Sequence, residues 1–471
     1  MKKIIIVISL LMLFLTEAAS AASVRIGVID TGIKEKRDII DSNKILSGKN
    51  YVLGNSDTDD EVGHGTRVTS LITGTADGEI ISPCSEGLII PLVYYTKLAS
   101  GAVLNGGIEA ICNAIYDAAD IYGCRIINIS SGITADDERL KKAMDYAEAK
   151  GVLIVSACGN SSDDVYYPAA YDTVIGVGSH NNSFEPTEFS CHGSGLDILM
   201  YGEDLKVVSI KNAADYELIS GTSYSTALVT AHAAAALERY PRLTPSQIRY
   251  IMKISCDDIC DSGYDEKSGY GVFNPDLFYE NLMLFDNGEI ICFYDVRSND
   301  WFYDSVRNAY HQGWMNGTGD GIFDPYGDMT RAMFVAMLYR AEGEPQMNSV
   351  SKFEDTAENT YYAEAVCWAS ANGIISGYSD TKFAPDQNIT REEMAVIMSR
   401  YAAYKGINTD IHGDLTVLFT DADAVSGWAE KNMIWAVETG LISGKGNNIL
   451  DPLGNTTRAE TAAVLQRLLK E

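Results

Sequence analysis

A chain of 471 residues, 46 % of them hydrophobic, is long enough for two or more domains with cores of their own. Its net charge of −29 is spread along its length, with −11 of it from residue 293 onward. No part is built to neutralise phosphate, which argues against a nucleic-acid partner; a soluble, self-repelling surface accounts for most of the acid.

The chain opens with Lys2 and Lys3, a short apolar run from Ile4 to Leu15, and the small residues Ala19-Ser20-Ala21. This is the pattern of a secretion signal cleaved after Ala21. The run is short of the roughly twenty residues a bilayer span needs, and no later stretch is long enough, so no membrane span is expected after signal removal. Nine cysteines are an odd number for an exported chain. Cys158 and Cys191 sit where small buried residues fit. Cys256 and Cys260 are the one pair close in sequence, and the set does not read as a disulfide framework.

VRIGVID, ending at Asp30, is the first of four continuous apolar runs; CRIINIS, GVLIVSA and TVIGVGS follow. Such runs predict strands covered on both faces. Between them, GGIEAICNAIYDAADIYG and ADDERLKKAMDYAEAKG carry helical periodicity, the second closed by Gly151. Alternation of strand and helix predicts a parallel sheet with helices on both sides, whose chemistry gathers at the carboxyl ends of the strands. Asp30 is at such an end.

Four stretches carry candidate chemistry: IGVIDTGI, GHGTRVTSLITG, VSACGNSSDD and ISGTSYSTALVTAHAAAALERY. Each has a quiet reading. Asp30 caps a turn, His64 is a satisfied histidine in a Gly-rich loop, Asn160 is a turn residue, and Ser223 opens an Ala-rich helix. Together they supply every part of an acyl-transfer site. Ser223 is the weak nucleophile that needs a base, His64 is that base, and Asp30 is the carboxylate that orients it. Asn160 and a backbone N–H are the donors a tetrahedral oxyanion needs. Ser223 at a helix start also places developing negative charge at the positive end of the dipole.

The order Asp, His, Ser and the motifs D-T-G, D-x-x-G-H-G-T (Asp60 to Thr66), G-N and G-T-S resemble the subtilases, the subtilisin-like serine peptidases. YYPAAYDTVIGVGS and SGYGVFNPDLF add to a likeness that covers about residues 24–280. The resemblance implies that Asp30 orients, His64 is the base, Ser223 attacks, and Asn160 with the Ser223 N–H forms the oxyanion hole. It also implies that Ser130-Ser131-Gly132 binds the substrate backbone as an added strand. Tyr166 then lies at the bottom of the pocket for the residue before the cut, which makes that pocket shallow and suited to small or medium side chains. The chain departs from the family at Tyr224, Ser225 and Ala227, where Met-Ala and a downstream Pro are usual, and at Arg67 in place of a frequent His. About two residues separate the cleavage site from the first strand, where exported relatives carry an inhibitory, fold-assisting propeptide. Folding without one, help from a separate chain, and an omitted segment are the three readings. No cofactor is certain. Calcium stabilises many relatives, and the loop Asp57-Thr58-Asp59-Asp60-Glu61 offers oxygen ligands, with a solvated acidic loop as the plainer reading.

From residue 293 a threefold repeat begins, at Phe293, Phe353 and Phe419, each unit running through a helix, a Gly turn, a Pro-containing turn and a second helix opened by Thr-Arg. These units resemble S-layer homology modules over residues 293–471. The likeness implies a pseudo-threefold unit that binds bacterial secondary cell-wall polysaccharide. Arg331, Arg391 and Arg458, bidentate and always charged, are the candidate glycan contacts. The plainer reading pairs each with an acid of its own repeat. Trp301, Tyr361 and Trp428 near the starts read as core.

The expected architecture is therefore α/β: a subtilisin-like parallel sheet sandwiched by helices, then a mainly α-helical pseudo-threefold domain. The divisions are a signal over 1–21, a peptidase domain over 22–285, and modules over 286–343, 344–406 and 407–471. The expected function is a secreted, cell-wall-anchored serine endopeptidase acting on protein or peptide substrates. An inactive subtilase-fold surface protein is the rival, and an esterase or transacylating ligase on the same residues a lesser one.

Overall fold

The computed structural model describes residues 23–469 apart from 35–38, 212–214, 262, 320 and 348–350. The predicted signal lies outside the described residues. The chain divides into two compact units between Leu284 and Phe285.

The strands are β1 (Arg25–Asp30), β2 (Lys49–Asn50), β3 (Leu88–Val93), β4 (Tyr95–Lys97), β5 (Val103–Asn105), β6 (Ile126–Ile129) and β7 (Leu153–Ala157). After them come β8 (Val174–His180), β9 (Ile198–Tyr201), β10 (Leu205–Val208), β11 (Tyr216–Ile219), β12 (Cys256–Asp257) and β13 (Val272–Phe273). Nine form one sheet in the order β12-β13-β9-β8-β7-β6-β1-β3-β2, and only its β12–β13 pair is antiparallel. The four predicted strands are β1, β6, β7 and β8, buried almost throughout as their continuous apolar runs require. β1 has β6 on one side and β3 on the other, so strand order reverses beside it and a crevice opens at its carboxyl end.

Helices Gly107–Asp120 and Glu138–Ala149 bury Ile111, Ile115, Leu140 and Met144 against one face of the sheet. On the other lies Thr222–Arg239, where Ala227, Ala231, Ala233, Ala234 and Ala236 let the helix lie close on β6 to β9. All nine cysteines are thiols, including Cys256 and Cys260, and Cys158 and Cys191 are fully buried.

In the second unit each module contributes two helices: Tyr303–His311 and Arg331–Ala341, Ala363–Ala371 and Arg391–Tyr404, Glu430–Glu438 and Arg458–Leu469. The second helix of each module packs on the first helix of the next, and the third module returns to the first. A ring of backbone hydrogen bonds closes the centre: Met329 N–H to Thr456 O (2.9 Å), Thr456 N–H to Ile389 O (3.0 Å) and Ile389 N–H to Met329 O (2.9 Å). One continuous apolar core, from Ile291 to Leu465, fills the unit. Trp301, Tyr361 and Trp428 are not in it: they are 60 %, 62 % and 59 % exposed. The next residue along the chain, Phe302, Tyr362 or Ala429, is buried in each case and turns its neighbour outward.

Candidate active site

Asp30 ends β1 and is buried at 3 % exposure. His64 opens the helix His64–Thr73, which can start there because Gly65 has no side chain; a Cβ at that position would lie 2.2 Å from the carbonyl oxygen of Gly32. The histidine's Nδ1 lies 2.8 and 2.9 Å from the two Asp30 oxygens. Burial disfavours the imidazolium, but the charge and hydrogen bond of Asp30 outweigh it and hold the His64 pKa above its ordinary value. Asp60 fixes the loop before the histidine. It is fully buried and accepts from Thr31 Oγ1, the N–H groups of Val62, Gly63 and Thr66, and Thr66 Oγ1, at 2.6 to 3.0 Å.

That occupation bears on the acidic loop. Lys34 bridges Asp59 and Glu61, and Asp57 accepts the N–H of Asp59. Of this loop only Asp60 is buried and fully occupied by protein donors, and no group of three or more acidic, cysteine or histidine side chains placed to hold a metal occurs among the described residues.

Ser223 is the second residue of Thr222–Arg239, after Gly221. Its hydroxyl donates to the carbonyl of Ser130 at 3.0 Å. Asn160 follows β7 and accepts through Oδ1 from the N–H of Thr222 (2.9 Å) and from its hydroxyl (3.0 Å), which leaves Nδ2 as the amide's donor beside Gly221. The structure thus brings Asp30 and His64 into contact and sets Ser223 and Asn160 at one helix start.

Ser130-Ser131-Gly132 continues from β6, and Ile133 then exchanges two 2.8 Å hydrogen bonds with Tyr167. Ser131 Oγ is buried near the Tyr94 hydroxyl. Tyr166 packs where a Cβ on Gly132 would lie 2.8 Å from its Cβ and one on Gly159 would lie 3.0 Å from its Cγ. Its ring therefore occupies the space between these two segments, and its hydroxyl donates to Ser161 at 3.0 Å. The departures at Tyr224 and Arg67 are neighbours of the histidine. The Tyr224 ring stacks obliquely 5.7 Å from that of His64, and burial pushes its hydroxyl up to about 12. Arg67 pairs with Glu217 at 2.8 Å.

Residues 21–271, more than half of the chain, match the family model described as Subtilase family. The chain belongs to the subtilase family. Subtilisin DY of Bacillus licheniformis is 31 % identical over 258 residues, covering 54 % of this chain and 89 % of its own length. Subtilisin Savinase of Lederbergia lenta is 30 % identical over 261 residues, covering 55 % and 91 %. Fervidolysin from Fervidobacterium pennivorans, a solved structure described as a keratinolytic enzyme related to subtilisin, superposes with a TM-score of 0.50 at 26 % identity over 56 % of this chain and 43 % of its own. This subtilase is a serine endopeptidase. Residues 293–333, 352–395 and 418–462 match the S-layer homology domain, which indicates anchoring at a bacterial cell surface. No helix among the described residues is long and apolar enough to cross a membrane.

The three anchoring modules of the subtilase enclose three grooves of about 200, 420 and 400 Å³. Each takes the Gly turn and second helix of one module and the Thr-Arg arginine of the module before it. Arg458 enters the first groove, Arg331 the second and Arg391 the third. These arginines are buried and donate to turn carbonyls of the next module. Arg331 reaches Phe383 and Ser376 (both 3.1 Å), Arg391 reaches Leu450 (3.0 Å) and Ser443 (2.6 Å), and Arg458 reaches Phe323 (2.8 Å) and Asn316 (2.6 Å). Where an acid joins them it also comes from the next repeat, against the reading of pairing within a repeat. Tyr361, Trp428 and Trp301 line the first, second and third grooves. So do Arg340, Arg400 and Arg467, which the sequence reading passed over. Their signal was available: each follows its Thr-Arg arginine by nine residues.

Proposed function

We propose that this subtilase is an exported endopeptidase tethered to the cell wall, cutting peptide bonds with Asp30, His64 and Ser223. The observation that carries this is the Asp30 carboxylate on His64 Nδ1, at 2.8 and 2.9 Å, in the crevice where Ser223 opens its helix. Asp30 holds the Nδ1–H tautomer, leaving Nε2 to take the proton from Ser223 Oγ as that oxygen adds to the scissile carbonyl. Asn160 Nδ2 and the Ser223 N–H receive the oxyanion. His64 then returns the proton to the leaving amine, and water releases the acyl group from Ser223 by the same route. The segment Ser130-Ser131-Gly132 pairs with the substrate backbone, and Tyr166 limits the pocket for the residue before the cut. Support for the tether comes from the three groove-forming modules, whose arginines and exposed aromatics suit a charged secondary wall polysaccharide.

The test is residues 22–471 treated with a fluorophosphonate beside the Ser223→Ala variant, followed by turnover of peptide amides. Labelling of the parent alone, with amide cleavage, is the expected result. A folded protein that neither labels nor cleaves would overturn the reading.

A further inference from the structure

Two of the chain's departures from its family meet beside His64. Arg67 lies on the helix His64–Thr73, one turn after the histidine, and Tyr224 directly follows Ser223. The Arg67 guanidinium faces the Tyr224 hydroxyl and donates through Nε to Glu217 at 2.8 Å. Glu217 stands in β11, whose end leads through Ser220 and Gly221 into the helix of Ser223. Its second oxygen takes Lys211 at 2.8 Å, so the carboxylate is held from two sides. The cluster is enclosed: the Arg67 and Glu217 side chains are 14 % and 18 % exposed, and Tyr224 is buried. The Tyr224 ring is seated between two fixed points. On one side the His64 ring lies 5.7 Å away. On the other, a Cβ on Gly221 would lie 3.5 Å from its Cδ2 and Cε2, and 3.5 Å from Asn160 Nδ2.

We propose that Arg67 is a positioning residue for acyl transfer: paired with Glu217 and seating Tyr224, it sets the His64 ring against Ser223. This rests on the mechanism proposed above and names what holds its base and nucleophile in register. Asp30 anchors the imidazole along one edge, at Nδ1, and the Tyr224 ring limits the swing about that edge. Proton transfer is sensitive to such a swing, since a misplacement of about 1 Å can cost about 10²-fold in rate. Arg67 also bears on the histidine by charge. The charges acting on the imidazole are Asp30 from β1, Asp60 from the preceding loop and Arg67 from its own helix. The two acids favour the imidazolium and Arg67 opposes it. Glu217 of β11 and Lys211 after β10 lie behind Arg67, and Tyr224 stays neutral, its hydroxyl pushed up to about 12. Loss of the Arg67 charge therefore favours the imidazolium, and loss of the Glu217 charge disfavours it.

The test uses residues 22–471 as Arg67→Met, Arg67→Lys, Glu217→Gln, Tyr224→Phe and the double variant of Arg67→Met with Tyr224→Phe. kcat and KM for a peptide amide are measured across pH, with a melting temperature for each protein. Arg67→Met should lower kcat by about tenfold with KM little changed, and Arg67→Lys should recover most of the loss. Tyr224→Phe should cost less in the Arg67→Met background than alone, because both changes cut one tie. The midpoint of the acid limb should rise in Arg67→Met and fall in Glu217→Gln, opposite shifts that lost packing alone does not produce. Parental kcat in Arg67→Met, additive losses in the double variant, or midpoints that move the same way overturn the assignment while the mechanism stands. If Arg67→Met does not fold, Glu217→Gln and Tyr224→Phe decide: an unmoved midpoint in the first or parental kcat in the second overturns it. A folded parent that neither labels with fluorophosphonate nor cleaves removes the mechanism and this assignment together.

Discussion

Ser130 and Ser223 exchange two hydrogen bonds: Ser223 Oγ donates to the Ser130 carbonyl at 3.0 Å, and Ser130 Oγ donates to the Ser223 carbonyl at 2.9 Å. The Ser223 hydroxyl is therefore turned to the segment that follows β6. Under the proposed mechanism, a peptide pairing with Ser130-Ser131-Gly132 competes for that carbonyl and frees the hydroxyl for His64. Ser223→Ala should remove fluorophosphonate labelling entirely. Ser130→Ala removes a second donor from a helix carbonyl and leaves the buried Asn128 amide without its acceptor, at about 1 kcal/mol of stability. Its Ser223 should still label; a lower melting temperature with retained labelling is the expected pair of readings.

Asn160 has its carbonyl oxygen fixed by Thr222, so its amide nitrogen is pre-aimed rather than free to flip. Asn160→Ala should lower kcat by about 10²–10³ with KM little changed, the size known for the corresponding donor in subtilisin. A fall confined to KM would assign the residue to ground-state binding instead.

The pH profile should show the pull of Asp30 on His64. Burial acts against the charged ring, and Asp30 more than offsets it, so the folded pKa lies above 6.5. The base must be neutral, so kcat/KM should fall as pH drops through a midpoint above 6.5. A midpoint at or below that value would count against the Asp30 contact. The same raised pKa adds stability that is complete below the unfolded value and lost as pH rises through the folded one.

Tyr166 fills the space between the Gly132 and Gly159 segments. Tyr166→Gly should open it and raise cleavage after Phe or Leu relative to Ala by about tenfold or more, the usual scale for apolar pocket contacts. Profiling a peptide library with both proteins reads this directly. A parent enzyme that already prefers Phe or Leu over Ala would refute the shallow pocket.

The sheet was legible where strands are continuous apolar runs, as at β1, β6, β7 and β8. The strand β3, Leu88–Val93, went unread because Pro91 interrupts the pattern and marks edge strands more often than interior ones. Here β3 lies between β1 and β2, and Gly48 accommodates it: a Cβ there would fall 1.8 Å from the Pro91 carbonyl. The candidate triad could be named from the sequence because acyl transfer draws each part from a few side-chain types. The groove aromatics were not. Trp301, Tyr361 and Trp428 stand beside residues that are themselves buried, and composition alone does not say which of two neighbours faces inward. Asp60 was visible only as a motif letter and as one acid of a loop, and its five donors show it as the support of the histidine loop.

The closed ring through Met329, Ile389 and Thr456 also governs how the enzyme leaves a surface. Every groove takes residues from all three modules, so severing any one module breaks all three grooves and opens the circle. Attachment then behaves as a latch and not as three independent feet. A single nick inside the repeats would release the peptidase in one step, with no loosened intermediate.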